Sequence, residues 1–380
     1  MLEELGIRPV INAAGSLTLL GGSILEDDVL AAMKEVAGIY VDMTELQTKA
    51  GAFIAQLAGA EAAYITGGAA AGLVLSVAAC MTKGETSQMT KLPRTENMAN
   101  EVIVQRSQRN TYDYNLEIAG ARIREIGHVH ATTTRDLEDA INEKTAAVVY
   151  FVFDPQDGVL RLDTVLEIAH KHGIPVIVDA AAELPPKENF AKFVRMRADL
   201  VLFSGGKDIG APNDTGIILG RRDLVALCMR LGPQSYEPVD SSRLRVYIGR
   251  PMKVSKEDIV ALLVAIKRYL ATDQSERFRK WDRMIEYMLF ELSKCNRIAV
   301  RKVNPSWDHS RPACIPRVEV ELLNSAASAE ELVARLKQGD PSIHAYAKNG
   351  RLYVNPQCLR EGEERIVAGS LSRLLSDNQE

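Results

Sequence analysis

The sequence predicts an α/β protein, with a mainly parallel sheet covered by helices on both faces and a small α+β domain at the C-terminus. Three observations carry that prediction. From Ala62 to Leu219, strand-like and helix-like stretches alternate. The strands among them are mostly apolar right through, as strands buried on both faces are, instead of at every second residue. Beyond about residue 270 the order changes to a charged helix, two strands, a helix, two paired strands and a last helix, which suits a separate α+β unit. A chain of 380 residues can bury a large core and accommodate two domains. We therefore expect an N-terminal arm over residues 1–24, a large domain over 25–270 and a small one over 271–380.

Taken in order, residues 7–24 are apolar and punctuated by glycine, without helical period, and read as an arm. Asp27 to Ala37 and Thr44 to Ala58 read as helices, the second with apolar Leu46, Phe53, Ile54 and Leu57. Ala62 to Thr66 is a short strand that runs into Gly67-Gly68-Ala69-Ala70-Ala71-Gly72 and the apolar helix Leu73 to Met81. Thr82 to Ala99 is polar and irregular. Strands follow at Val102 to Gln105, Arg122 to Ile126, Ala147 to Phe153 and Val176 to Asp179, with helices at Tyr114 to Ala121, Thr134 to Ile141 and Asp163 to His172 between them. Leu200 to Phe203 and Gly216 to Leu219 are two more buried strands, and Asp223 to Leu231 is a helix. After a Gly- and Pro-bearing segment over 232–250, Ser255 and Asp258 resemble a cap that opens a long helix to Leu270. A charged helix spans about Ser275 to Lys294. The small domain then reads as strands Ile298 to Val303 and Arg317 to Leu322, helix Ala329 to Lys337, paired strands Ile343 to Tyr346 and Arg351 to Val354, and helix Glu361 to Leu375.

Composition narrows the function classes. The net charge is −4 with both signs interspersed and no basic block, so strong attraction to nucleic acid or to a membrane surface is not expected. No apolar run approaches the length of a bilayer span. The five cysteines, at 80, 228, 295, 314 and 358, form no C-x-x-C pair and have no histidines beside them. That spacing favours neither a metal site nor a disulfide framework. The N-terminus lacks the regions of a signal peptide, and a cytoplasmic location is expected.

The chemistry concentrates in the turn between the two strands after residue 200: Ser204-Gly-Gly-Lys207-Asp-Ile-Gly210-Ala-Pro212. A lysine at the mouth of an apolar site has its charged form disfavoured and becomes a usable nucleophile. Upstream, Ile174-Pro-Val-Ile-Val-Asp179 ends a strand in an acid, and the strand–glycine–helix passage at Gly67, Gly68 and Ala69 can bind an anion on backbone N–H groups. Ligands of such sheets gather at the carboxyl ends of strands, where all three features fall. A lysine for covalent attachment, an acid partner for a pyridine nitrogen and a phosphate cradle are the requirements of pyridoxal 5′-phosphate. The Ser204 hydroxyl is a further phosphate ligand in this reading.

At these residues the chain resembles fold-type I pyridoxal-phosphate enzymes. Within them it is most similar to the selenocysteine synthase (L-seryl-tRNA selenium transferase)-like group, which includes bacterial D-glucosaminate-6-phosphate ammonia-lyases. The matching stretches are Arg8 to Gly15, Thr66 to Gly72, Gln105 to Asp113, Val178 to Ala180, Phe203 to Lys207 with Gly216 to Arg221, and Ile248 to Val254. The resemblance implies that Lys207 is the Schiff-base lysine and Asp179 the pyridinium partner, with Gly67, Gly68 and Ser204 at the phosphate. Members often place a histidine or an aromatic over the cofactor ring from the segment matched by Ser107 to Tyr112. Here Gln108 holds that position and Tyr112 is a second candidate. Arg109 is either a substrate anion ligand or a surface ion pair. Arg250 and Lys253 fall where such dimers reach a neighbouring subunit's phosphate, and Arg311 is a candidate carboxylate clamp. His128, His130 and His309 read as surface or core residues.

The resemblance implies self-association as a homodimer or larger, and a small amino acid substrate. The expected activity is a lyase that eliminates the β-hydroxyl of a β-hydroxy-α-amino acid, such as a sugar-derived one, to give ammonia and a 2-keto acid. A racemase or an aminotransferase would use the same Lys207 and Asp179, and a non-catalytic binding relative is the alternative of another class. A tRNA-dependent transferase is not expected, since the sequence shows neither an RNA-binding extension nor a basic patch.

Overall fold

Residues 1–152, 158–238, 244–304, 312, 314–323 and 327–376 are described by the computed structural model of the chain. Strand β1 (Val10–Asn12) is followed by helices α1 (Asp27–Ala37) and α2 (Met43–Ala58). Next come β2 (Ala62–Thr66), α3 (Gly68–Thr82), α4 (Thr86–Met89), β3 (Glu101–Gln105), α5 (Tyr114–Ile118), β4 (Arg122–Ile126) and α6 (Thr134–Glu138). They continue through β5 (Thr145–Phe151), α7 (Leu162–Lys171), β6 (Val176–Asp179), α8 (Asn189–Arg195), β7 (Leu200–Ser204), β8 (Gly216–Gly220) and α9 (Arg222–Leu231). A short hairpin of β9 (Tyr236–Pro238) and β10 (Leu244–Val246) precedes α10 (Lys256–Ala271). The rest is α11 (Gln274–Leu292), β11 (Ile298–Val303), β12 (Arg317–Leu322), α12 (Ala329–Gln338), β13 (Ser342–His344), β14 (Tyr346–Lys348), β15 (Arg351–Val354) and α13 (Glu363–Ser376). The chain divides into two compact units, Leu25–Ala271 and Met1–Ile24 with Thr272–Glu380.

In the large unit, seven strands form one sheet in the order β2-β8-β7-β6-β5-β3-β4. The apolar runs of the inner strands serve two cores, because successive side chains on a strand point to opposite faces. Ala63, Ile65, Val148, Val176, Val178, Val201, Phe203, Ile217 and Leu219 join one buried cluster. Their alternates Tyr64, Val149, Ile177, Leu200, Leu202 and Ile218 join the other, with the buried residues of α3 and α9. Burying one such aliphatic or aromatic side chain is worth roughly 1.5–3 kcal/mol, so both faces are strongly specified.

Most neighbours in this sheet are parallel, but β8 runs antiparallel to both β7 and β2. The loop before β8 contains no crossover helix, and a chain that turns straight back can only pair antiparallel. Helix α3 begins at Gly68, five residues before the apolar run, because glycine and alanine carry the helix without adding to its apolar pattern. Strand β5 covers Thr145–Phe151, and Phe153 lies outside the described residues.

The small unit holds an antiparallel sheet in the order β11-β12-β15-β14. The strand expected at Ile343 to Tyr346 is two strands. Its first part, β13, pairs in parallel with β1 of the arm, Val10 opposite Ser342 and Asn12 opposite His344. Its second part, β14, pairs with β15. Ile11 and Ala13 are buried with Met284, Met288, Val320 and Ile343 in this unit's core.

Candidate active site

The antiparallel insertion of β8 lines up three strand ends. Thr66 at the end of β2 and Ser204 at the end of β7 both face Gly216, the first residue of β8. One strand further, Asp179 ends β6 opposite Leu202 of β7. The turn after Ser204 is held by its own backbone: Gly205 N–H donates to Thr215 O at 2.9 Å, Ala211 N–H to Gly205 O at 3.0 Å and Gly210 N–H to Lys207 O at 3.0 Å. Lys207 lies within it at a break in the helical conformation. The topology thus brings the Gly67–Gly68 loop, Ser204, Lys207 and Asp179 to one edge of one sheet.

Asp179 and Lys207 each keep partial exposure, yet protein surrounds both closely enough to change their ionisation, as in a concave cleft. Burial pushes the Lys207 amine below its ordinary value, opposed in part by the charges of Asp179 and Glu183. Burial raises the Asp179 carboxyl, and the Ala181 N–H and the Lys207 charge offset part of that rise. The Ala181 N–H donates to Asp179 Oδ1 at 2.9 Å. A lysine whose neutral form is favoured beside a carboxyl that can hold a cationic donor is an acid–base pair prepared for nitrogen chemistry.

The Gly67 loop completes the edge. Gly68 has φ +90°, a conformation that side-chain-bearing residues rarely adopt, and a Cβ there would meet nothing within 4 Å. Helix α3 carries no side-chain cap at Gly67 and no acid in its first turn. Its first N–H groups and positive end are therefore open to an anion. Gly216 makes room for the loop: a Cβ on it would stand 2.3 Å from the Gly68 carbonyl carbon. The Thr66 hydroxyl donates to Gly68 O at 2.8 Å and fixes the turn. Amine, carboxyl and uncapped helix start are the donor set that pyridoxal phosphate requires, and the residues present fit the group.

The other expected site residues have the following surroundings. Gln108 is buried, 1% exposed; its Oε1 accepts from Gln105 Nε2 at 3.5 Å, and its carbonyl accepts from Asn110 Nδ2 at 3.0 Å. Tyr112 is 57% exposed. Arg109 is committed to carboxylates, with Nε donating to Asp113 and Nη1 to Glu125 Oε2 at 2.8 Å. Lys253 is exposed. Its carbonyl lies 3.0 Å from where a Cβ of Gly67 would stand, so its backbone covers the loop. The Arg250 guanidinium lies 5.9 Å from the centroid of the Tyr236 ring. Arg311 and His309 lie outside the described residues, and His128 and His130 are exposed. Sequence reasoning missed Glu183, 8% exposed, and Thr215, whose buried hydroxyl donates to Pro212 O at 2.7 Å. The only available signal for Glu183 was its place four residues after Asp179.

Such a sheet edge on a mainly parallel, helix-covered sheet defines a fold-type I enzyme, with pyridoxal phosphate as its cofactor. The chain belongs to the L-seryl-tRNA selenium transferase family, whose model matches residues 10–360. It is similar to a 5′-C-glycyluridine monooxygenase-decarboxylase of Streptomyces, at 33% identity over 99% of this chain and 92% of that protein. It is also similar to the D-glucosaminate-6-phosphate ammonia lyase of Salmonella typhimurium, at 30% identity over 98% of this chain and 97% of that one. A solved structure of a D-glucosaminate-6-phosphate ammonia-lyase superposes with a TM-score of 0.81 at 28% identity, covering 100% of this chain and 99% of the other. A relative named for oxidative decarboxylation was not anticipated from the sequence.

Proposed function

We propose that the protein is a lyase that converts a β-hydroxy-α-amino acid to ammonia and a 2-keto acid, with a sugar-derived acid such as a glucosaminate phosphate as its substrate class. The observation that carries this reading is the desolvated Lys207 amine beside Asp179, in a chain that matches an ammonia lyase over nearly its whole length. Lys207 would hold the cofactor covalently and Asp179 its ring nitrogen, with Gly67, Gly68, Ala69 and Ser204 at its phosphate. When bound, pyridoxal phosphate supplies an electron sink for the charge left at a substrate α-carbon.

The chain's own residues do the rest. Burial disfavours the charged form of Lys207, which suits its Nζ to accept the α-proton. That proton leaves with the β-hydroxyl as water, and a water returns when ammonia is released, so the reaction consumes no oxidant. The hydrogen-bonded Gly205–Thr215 turn holds the lysine's backbone still while its side chain moves. Gln108 would face the cofactor ring as an amide in place of an aromatic. Arg109, held by two carboxylates, is given no part in substrate binding. A cytoplasmic, self-associating enzyme is proposed with this reading. In its support, none of the five cysteines is in a disulfide, and Ile39 and Tyr40 are exposed, 56% and 104%, between α1 and α2. No described helix is long and apolar enough to cross a membrane.

Purified protein incubated with pyridoxal phosphate should show the cofactor's long-wavelength band, and Lys207→Ala should abolish both that band and keto-acid release. A colourless wild-type protein would sink the proposal. Ammonia release without an amino acceptor separates the lyase from a racemase or aminotransferase. The activity named for the Streptomyces relative gives a second reading, and oxygen electrode traces decide it. Monooxygenation consumes dioxygen during turnover, whereas elimination does not.

A further inference from the structure

The edge that carries Asp179 and Lys207 holds a third ionisable group to which neither the fold nor the proposed reaction assigns a role. Glu183 follows β6 in the same turn as Asp179, is 8% exposed, and acts electrostatically on Lys207 together with Asp179. Its backbone is fixed on both sides: its N–H donates to Ala180 O at 3.0 Å, and its carbonyl accepts from Asn189 Nδ2 at 2.7 Å at the start of α8. The turn after β6 and the turn that bears Lys207 leave neighbouring parallel strands, so Glu183 and Lys207 stand at the same end of the sheet, within electrostatic reach of each other.

Charge counting gives the group its task. Among the described residues, the carboxyls of Asp179 and Glu183 act on this desolvated amine, and a charge in such a place is stabilised by a counter-ion. In the function proposed above, on which this inference rests, Asp179 is engaged by the cofactor ring. Glu183 is then the other described carboxyl that acts on a protonated Lys207. We propose that Glu183 is the positioning residue of Lys207: its carboxylate holds the amine, with the proton it carries, at the mouth of the site while Asp179 serves the cofactor.

The test follows the amine directly, in cofactor-free protein. Labelling of Lys207 by acetic anhydride across pH, read by mass spectrometry, reports where the amine becomes neutral. The described charged groups that act on Lys207 are Asp179 and Glu183. Removing one negative charge disfavours the ammonium, so the labelling midpoint should fall by about one pH unit in Glu183→Gln. In Glu183→Asp, which keeps the charge one methylene further back, it should fall by less. The acid limb of kcat in the loaded enzyme should move in the same direction and order. A purely structural role would lower activity without moving either midpoint. An unmoved midpoint in Glu183→Gln, or an equal fall in both variants, overturns the proposal, and if Glu183→Gln does not fold, an unmoved midpoint in Glu183→Asp does so alone. Failure of borohydride to fix pyridoxal phosphate on wild-type Lys207 would instead remove the functional reading, and the labelling series distinguishes the two outcomes.

Discussion

Asp179 takes its chemistry from its position as the last residue of β6, where three buried valine and isoleucine neighbours give way to a part-open edge. Under the proposed function, Asp179→Asn keeps the shape and loses the charge that holds a protonated ring nitrogen. We expect it to lose cofactor faster on dialysis and to release keto acid on the order of 10²-fold more slowly, comparable to the loss of one buried electrostatic partner. Unchanged retention and rate would contradict the assignment. Asp179 and Lys207 were legible in the sequence because each ends or follows an apolar strand, and strand ends converge. Glu183 was not, since an acid in an alanine-rich turn reads as a solvated residue until the fold buries it. Arg109 could be read as to type but not partner: Asp113 lies four residues on, whereas Glu125 arrives from β4, whose register against β3 only the sheet supplies.

At the scale of elements, the strand reading survived because alternate residues of the inner strands serve two cores. Two features escaped it. The reversed direction of β8 depends on the missing crossover, and the split of residues 342–348 into β13 and β14 depends on a partner from the far end of the chain. The reversal has a testable consequence at Gly216, where a Cβ has no room against Gly68. Overpacking of this kind costs about 1–3 kcal/mol, and here the strain falls on the proposed phosphate loop. Gly216→Ala should therefore lower the thermal midpoint and weaken cofactor binding together, as seen by calorimetry with and without pyridoxal phosphate. A stability loss with unchanged cofactor affinity would separate β8 from the loop.

At the scale of the whole molecule, the chain is two units of different construction. Leu25–Ala271 is continuous in sequence, while the other unit is assembled from both ends of the chain. Removing residues 1–15 should speed amide hydrogen exchange in β13 and its neighbour α12, because β1, Ile11 and Ala13 leave that core, and should leave β5 to β8 protected. Uniform protection after truncation would show that β1 contributes nothing to that core. The pairing of Val10 with Ser342 also sets an order of events during synthesis. The large unit can fold while translation continues, as domains generally do. The first strand made must wait, unpaired, until nearly the last helix has left the ribosome. A ribosome stalled before β13 would thus carry a finished cofactor domain and an N-terminal segment with no partner to pair with.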